Sequence, residues 1–162
     1  MHPFLVLQLL ALLLLANGTP VIVTRLLGRR FAAPVDCGRR WLDGRPLLGS
    51  SKTLRGLLAS VLVTSACAPL AGLHWTVGAV VSATAMAGDL CSSFVKRRLG
   101  LPPGGRATGL DQLPESFLPL LASARMLPLT GPDMVVGVAL FFVSEVLLSR
   151  LLYRLHIRQR PY

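Results

Sequence analysis

The chain has 162 residues, of which 52% are hydrophobic, and a mean hydropathy of +0.61. Its 17 lysines and arginines against 7 acids give a formal net charge of +10. The apolar composition argues against a soluble domain and predicts a membrane protein. The high positive charge also suggests nucleic-acid binding. We favour a role in membrane topology and in binding anionic headgroups, because basic residues directly after an apolar stretch commonly have that role.

Five stretches are candidates for membrane spans, since crossing the hydrocarbon takes roughly 20 apolar residues as a helix. We predict an all-α, polytopic membrane protein that forms a single integral-membrane domain over residues 1–162. The fourth stretch is the least regular, because it contains three prolines and two charges, and a re-entrant or interfacial segment remains an alternative. The predicted spans are 3–23, 57–73, 75–90, 114–129 and 134–152, and the predicted cytoplasmic loops are 24–56 and 91–113.

Sixteen of the basic residues fall in three groups that five spans place on one side of the membrane. Basic residues stay with the cytoplasm, which predicts an external N-terminus and a cytoplasmic C-terminus in the cell membrane. Arg125 lies outside the groups. The groups are Arg25, Arg29, Arg30, Arg39, Arg40, Arg45, Lys52 and Arg55; Lys96, Arg97, Arg98 and Arg106; and Arg150, Arg154, Arg158 and Arg160.

The first span allows two further interpretations. It could be a signal peptide, but lysine and arginine are missing before the apolar run and no convincing small-x-small cleavage site follows it. Its Asn17-Gly18-Thr19-Pro20 break is either an ordinary proline kink or a broken helix whose freed backbone is received by protein or a wet cavity. In the second case Asn17 could bond across the bundle.

The long loop after this span contains Gly28, Gly38, Gly44 and Gly49, so we expect turns rather than long helices. Gly-rich backbone beside lysine and arginine can cradle phosphates through its N–H groups. The segment lacks the G-x-x-x-x-G-K-[ST] spacing of a P-loop, so that class of nucleotide site is not supported.

The third span continues without a breaker into a polar stretch. At helical spacing Asp89, Ser93 and Lys96 share one face. This face is either a metal-phosphate platform or a terminal surface whose cations reach for headgroups. The carboxylate favours the platform, because an acid at the end of an apolar span is costly without a cation or donor.

The sequence does not support a Ser-His-Asp or Cys-His nucleophilic site, because no histidine lies near the loop acids in sequence. The three cysteines do not have the spacing of a metal site. Phosphoryl transfer needs only carboxylates for Mg²⁺ and cations for phosphate oxygens. Three blocks of sequence carry these groups, accompanied by Asp111-Gln112 and the Ala16-Asn17…Pro20 break. The blocks are PVDCGRR at 34–40, DGRPLLG at 43–49 continued by SKTLRG at 51–56, and GDL at 88–90 continued by SFVKRRLG at 93–100.

These blocks resemble the CDP-archaeol synthase family of membrane cytidylyltransferases, and are distantly similar to bacterial phosphatidate cytidylyltransferase. The resemblance covers most of the chain. It implies a Mg²⁺-dependent transfer from CTP to a membrane lipid phosphate that yields a CDP-lipid and pyrophosphate in phospholipid biosynthesis, without nucleic acid. The lipid's identity and the oligomeric state stay open.

The resemblance also implies roles for individual residues. Asp89 and Asp111 would hold Mg²⁺, and Asp36 or Asp43 would bind a second cation or the ribose. The chain departs from the family's pattern at two places, which bear on the geometry at Asp111 and on the lipid specificity. Pro114-Glu115 follows Asp111-Gln112-Leu113, whereas the family's acidic-aromatic pair is expected sooner, and Cys37 replaces an aromatic residue or glycine. The expected phosphate-neutralising residues are Lys52, Arg55, Lys96 and Arg97, and the expected nucleotide-binding residues are Asp36, Asp43, Gly44, Gly49, Ser51, Thr53 and Ser93.

Two rival functions remain at this point. In a non-catalytic membrane protein the basic loops would serve only topology and contact with anionic lipid. A transporter or channel is disfavoured, since the spans are short, few and nearly free of charge apart from Arg125 and Glu145.

Overall fold

The computed structural model describes residues 1–28, 30–103, 105, 107 and 109–154; Arg29, Arg106, Arg158 and Arg160 of the basic groups lie outside them. Apart from isolated bridges between Pro34 and Thr53 and between Arg40 and Pro46, this part of the chain contains no β structure. The predicted all-α fold is confirmed. The helices are α1 (Pro3–Leu27), α2 (Leu54–Cys67), α3 (Trp75–Arg98), α4 (Gln112–Ser123) and α5 (Gly131–Arg154), with a 3₁₀ turn at Ala68–Ala71.

Within the described residues, four segments are long and apolar enough to cross a membrane. The fourth predicted span is the exception, because its helix ends at Ser123 instead of continuing to residue 129. At a rise of about 1.5 Å per residue, α4 measures about 18 Å, which is less than the hydrocarbon thickness of about 30 Å. The four segments are Pro3–Leu27, Leu54–Ala71, Trp75–Arg98 and Gly131–Leu151.

Contacts between helix ends nevertheless show that the chain passes from one end of the helix bundle to the other between the end of α3 and the start of α5. The backbone N–H of His2 donates to Asp133 Oδ1 at 2.8 Å, so α1 and α5 start side by side. Gln8 donates to the carbonyl of Ala71 at 2.5 Å, which places the α2–α3 turn at the same end. Asp111, at the start of α4, pairs with the last turns of α3 at the other end. The chain therefore returns through α4 and residues 124–130.

The end of the bundle where Asp111 meets α3 is called the basic end: it comprises the described residues of 24–56 and of 90–111 and the last turns of α5. The described members of the three basic groups lie there, whereas Arg125 lies in the connection after α4 near the opposite end. This distribution agrees with the predicted clustering of charge on one side of the membrane. Which side faces the cytoplasm stays a prediction.

The central helix of the bundle is α3. Half of its most apolar window is buried, and that window has the lowest mean hydropathy of the four candidate spans, 1.3. A helix surrounded by other helices does not need an apolar surface, so Ser82, Ser92 and Ser93 are accommodated inside the protein. The apolar core joins α1, α3, α4 and α5 through Leu9, Leu12, Leu13, Ala16, Val77, Val81, Ala85, Leu120 and Phe141.

The proline in the first span is absorbed by a neighbouring helix. Pro20 has no N–H, so it cannot bond to the carbonyl of Ala16 one turn earlier. The hydroxyl of Ser60 in α2 donates to that carbonyl at 2.8 Å, and Ser60 is fully buried. Asn17 instead donates to Leu13 of its own helix at 3.0 Å. The bond across the bundle is thus made by Ser60, whereas the Asn17 amide bonds within α1.

Candidate active site

A cavity of about 1160 Å³ opens among the helices toward the basic end. Its apolar wall comes from α1, α2 and α5 and includes Leu14, Leu57, Phe141 and Leu148. One chamber therefore joins a charged region to an apolar one. The titratable and hydroxyl side chains on its polar wall include Ser51, Lys52, Thr53, Asp89, Ser93, Lys96, Arg97, Asp111, Glu115 and Glu145.

The first ion pair of the polar wall joins Lys52 to Asp89. Lys52 Nζ lies 2.5 Å from both carboxylate oxygens of Asp89. The lysine is held at this place because Thr53 caps α2, accepting a hydrogen bond from the N–H of Gly56 at 3.3 Å. Capping fixes the direction in which the chain enters the helix, and with it the residue just before.

A second ion pair lies two turns further along α3. Lys96 Nζ lies 2.7 Å from Asp111 Oδ1 and donates to the carbonyl of Gly105 at 3.1 Å. Lys96 and Asp111 are 6% and 8% exposed. The predicted shared face of α3 is confirmed, since Asp89, Ser93 and Lys96 all line the cavity.

Arg97 is the most deeply buried cation of the polar wall, with 3% of its surface exposed. Its Nε and Nη1 atoms have no hydrogen-bond partner among the described residues. Asp111 lies close enough to interact with the guanidinium electrostatically. A buried charged donor without a full set of partners is costly, and a phosphate oxygen is a fitting acceptor for it.

Glu115 is the principal cavity residue missing from the sequence-based set. It is 6% exposed and lies within side-chain hydrogen-bond reach of Asp89. Gly88 makes this approach possible: a Cβ at that position would lie 2.4 Å from the carbonyl oxygen of Pro114. The feature of the sequence that could have indicated this contact is Gly88, a glycine inside a helix directly before a carboxylate at the membrane edge.

Asp36 lies outside the cavity lining and organises the loop. Its carboxylate accepts the backbone N–H groups of Gly38 at 3.0 Å and of Leu48 and Gly49 at 2.9 Å. Burial raises the pKa of Asp36, but these hydrogen bonds outweigh burial, so the pKa lies below its usual value. Gly49 has a φ of 95°, and a Cβ there would lie 3.2 Å from Pro103, so the loop packs against the segment after α3.

Three further predicted site residues also lie outside the lining. Asp43 accepts from Arg98 Nη1 at 2.6 Å, and Gly44 forms the turn beside it with a φ of 74°. Arg55 donates to the carbonyl of Gly28 at 2.6 Å and to that of Arg30. The structure thus brings together Ser51, Lys52, Thr53, Asp89, Ser93, Lys96, Arg97 and Asp111, but not Arg55, Asp36, Asp43, Gly44 or Gly49.

The carboxylates of the polar wall fit a hard divalent cation that is shared with phosphate. The described residues include no cluster of three His, Cys, Asp or Glu side chains that could hold a metal by itself. Mg²⁺ is commonly bound by one or two carboxylates, with substrate phosphates and water completing its octahedron. Asp89, beside Glu115, and Asp111 are oxygen donors of that kind.

Comparison with known proteins identifies the family. A family model described as CarS-like, CDP-archaeol synthase, matches residues 4–162. The CDP-archaeol synthase of Sulfurisphaera tokodaii is 37% identical over 157 residues, which cover 92% of this chain and 90% of that protein. The chain belongs to the CDP-archaeol synthase family.

Other relatives agree with this assignment. The CDP-archaeol synthase of Hyperthermus butylicus is 42% identical over 106 residues, covering 62% of this chain and 60% of that protein. A solved structure of an intramembrane enzyme for archaeal membrane lipids biosynthesis superposes with a TM-score of 0.71 at 33% identity, covering 85% of this chain and 90% of the other. The resemblance in sequence is confirmed, and so is the class: a CTP-dependent nucleotidyltransferase of membrane lipid biosynthesis with several membrane-spanning helices.

Proposed function

We propose that this chain transfers the cytidylyl group of CTP to the phosphate of a membrane lipid, with release of pyrophosphate, and that the cavity at the basic end is where the transfer occurs. The observation that carries the proposal is that two lysine–carboxylate pairs and the buried Arg97 face one chamber that is also lined by apolar side chains. A lipid phosphate and a nucleoside triphosphate could meet there, with the lipid chains against the apolar side chains and the phosphates against the cations.

The cations would bind phosphate oxygens. Lys52, Lys96 and Arg97 would neutralise the triphosphate and the lipid phosphate, and Arg97 can use the N–H groups that lack partners among the described residues. The lipid phosphate oxygen is already nucleophilic, so no strong base is needed. The chain's contribution is to place this oxygen in line with the leaving pyrophosphate and to stabilise the charge that develops.

Asp89 and Asp111 would hold Mg²⁺, with Glu115 beside Asp89 as a further oxygen donor. When bound, the ion would neutralise charge on the CTP phosphates and orient them. In the structure described here the same carboxylates are paired with lysines. Lys52 and Lys96 therefore keep the polar wall close to neutral, which stabilises carboxylates that are mostly removed from water.

The residues outside the lining have a supporting role in this proposal. Asp36 holds the backbone of Leu48 and Gly49 in place, and the following residues lead directly to Lys52 and the start of α2. Asp43 and Arg55 fix loop segments to the ends of helices. We assign these three residues to the arrangement of the loop rather than to contact with the nucleotide.

The decisive test measures CDP-lipid formation by purified protein with labelled CTP, Mg²⁺ and a panel of lipid phosphates. Lys52→Ala should lower kcat/KM by about a hundredfold or more, because a charge aimed at the reacting phosphates is lost. Lys52→Arg should restore only part of the activity, since a guanidinium fork does not reproduce a compact ammonium.

Arg30→Ala is the matched control, because Arg30 is an exposed cation of the same loop. An exposed charge contributes on the order of 1 kcal/mol or less, so this variant should stay within a few-fold of the parent protein. Equal and mild losses in Lys52→Ala and Arg30→Ala would contradict the proposed site and favour a loop that serves only topology and lipid contact.

A further inference from the structure

The loop at the basic end contains a small hairpin, Arg40–Pro46, that is not part of the cavity. Arg40 and Pro46 form an antiparallel bridge, and the N–H of Trp41 donates to the carbonyl of Arg45 at 2.9 Å. The N–H of Gly44 donates back to the carbonyl of Trp41 at 2.9 Å. The segment is therefore hydrogen-bonded within itself and has a defined shape.

The hairpin is fastened to the last turns of α3. Arg45 donates to the carbonyl of Arg98 at 2.5 Å, and Arg98 donates to Asp43 at 2.6 Å. The Trp41 ring meets the Phe94 ring edge-on, with centroids 5.4 Å apart. These contacts hold the hairpin at the level of Phe94 along the axis of α3.

The length of α3 between Trp75 and Phe94 matches the distance between the two interfaces of a membrane. Phe94 lies about 28 Å along α3 from Trp75, at a rise of about 1.5 Å per residue. The hydrocarbon layer is about 30 Å thick, and tryptophan favours the headgroup level. If α3 runs along the membrane normal with Trp75 at one interface, this length places the ring of Trp41 at the other.

The tip of the hairpin is apolar and unusually exposed. Leu42 is 96% exposed and Trp41 is 47% exposed. Arg39 and Arg40, which precede them, are also exposed. Two apolar side chains next to two cations, at interfacial depth, match the composition of segments that lie in the headgroup region of an anionic membrane.

We propose that the hairpin Arg40–Pro46 is seated in the membrane leaflet at the basic end, with Leu42 and the Trp41 ring at the acyl boundary and Arg39 and Arg40 on anionic lipid phosphates. The occupant of this surface is the bilayer itself. Because the hairpin is bonded to Arg98, its seating also holds the end of α3 that carries Lys96 and Arg97 at a fixed depth. The inference is independent of the chemistry proposed for the cavity.

The experiment uses the fluorescence of Trp41. The chain contains two tryptophans, so Trp75→Phe leaves Trp41 as the single reporter in the full-length protein. In nanodiscs that contain an anionic lipid, lipids brominated near the carbonyl end of the acyl chain should quench its emission, whereas aqueous acrylamide should quench it weakly. Trp41→Phe, which leaves Trp75, is the matched positive control for a tryptophan at an interface.

A second variant tests the seating without removing the reporter. Leu42→Asp in the Trp75→Phe background should shift the emission to longer wavelength, reduce quenching by brominated lipid and increase quenching by acrylamide, because the carboxylate favours water. Strong acrylamide quenching together with no effect of brominated lipid, in the parent reporter protein, would overturn the proposal. It would show that the hairpin projects into water, as a docking surface for another protein would.

Discussion

At the scale of single residues, the Ser60–Ala16 hydrogen bond shows how a local defect in one helix is repaired by another. Pro20 removes one helical N–H, and the carbonyl that loses its partner lies in the apolar interior of the bundle. An unsatisfied carbonyl in such surroundings has no water to bond to. The hydroxyl of Ser60 satisfies it and simultaneously fixes α2 against α1.

Ser60→Ala should therefore destabilise the protein by about 1–3 kcal/mol, the usual range for leaving a buried polar group unsatisfied. Reversible unfolding in mixed micelles measures this difference. Ser65→Ala is the matched control in the same helix, because the Ser65 hydroxyl donates to Val61 of its own helix one turn earlier and the variant should change stability by about 0.5 kcal/mol or less. A neutral Ser60→Ala would mean that the bond contributes nothing to holding the two helices together.

Residue-scale contacts also mark the limit of what the sequence could predict. The spacing of Asp89, Ser93 and Lys96 predicted their common face because helical periodicity is local. The partners of those residues were not predictable, since Lys52–Asp89 joins positions far apart in the chain. Asp36 was expected to bind substrate or a cation, whereas the structure surrounds it with the N–H groups of its own loop.

At the scale of helices, the site depends on how closely α3 and α4 approach each other. Gly88 provides the contact, and Pro114 and Glu115 in α4 lie directly against it. The glycine and the acids were visible in the sequence. The packing of α3 against α4, which brings them together, could not be predicted from it. The same lack of long-range information explains α4 itself: its apolar residues suggested a span to residue 129, while the helix ends at Ser123.

Gly88→Ala should push α4 away from α3, because the new Cβ would meet backbone atoms that cannot rotate aside. We expect a destabilisation of about 1–3 kcal/mol, typical of overpacking, and a loss of activity because Glu115 moves away from Asp89. Gly18→Ala is the matched control for stability, since a Cβ there meets nothing within 4 Å. Thermal unfolding in one detergent compares the two variants, and equal melting temperatures would contradict the close-contact explanation.

At the scale of the whole molecule, the distribution of apolar and basic residues was the most predictable property. Among the described residues, four of the five predicted spans coincide with helices long and apolar enough to cross a membrane, and the described basic residues of the three groups lie at one end as expected. Both distributions depend on composition along the chain rather than on side-chain packing. The cavity depends on packing among five helices. Many of its lining residues could therefore be predicted from the sequence, but its shape could not.

The same distribution of charge predicts the orientation of the bundle in the membrane. His74 lies in the turn before α3, near the start of α1, and Cys37 lies in the loop at the basic end; both are exposed. Because basic residues are retained in the cytoplasm, a membrane-impermeant maleimide applied to intact cells should label His74→Cys in a cysteine-free variant. It should not label a variant that keeps Cys37 as its only cysteine. Opening the cells should make Cys37 reactive, which controls for its accessibility. Labelling of Cys37 in intact cells, with none at His74→Cys, would mean that the basic end faces outward and that CTP would have to reach the cavity from outside the cell.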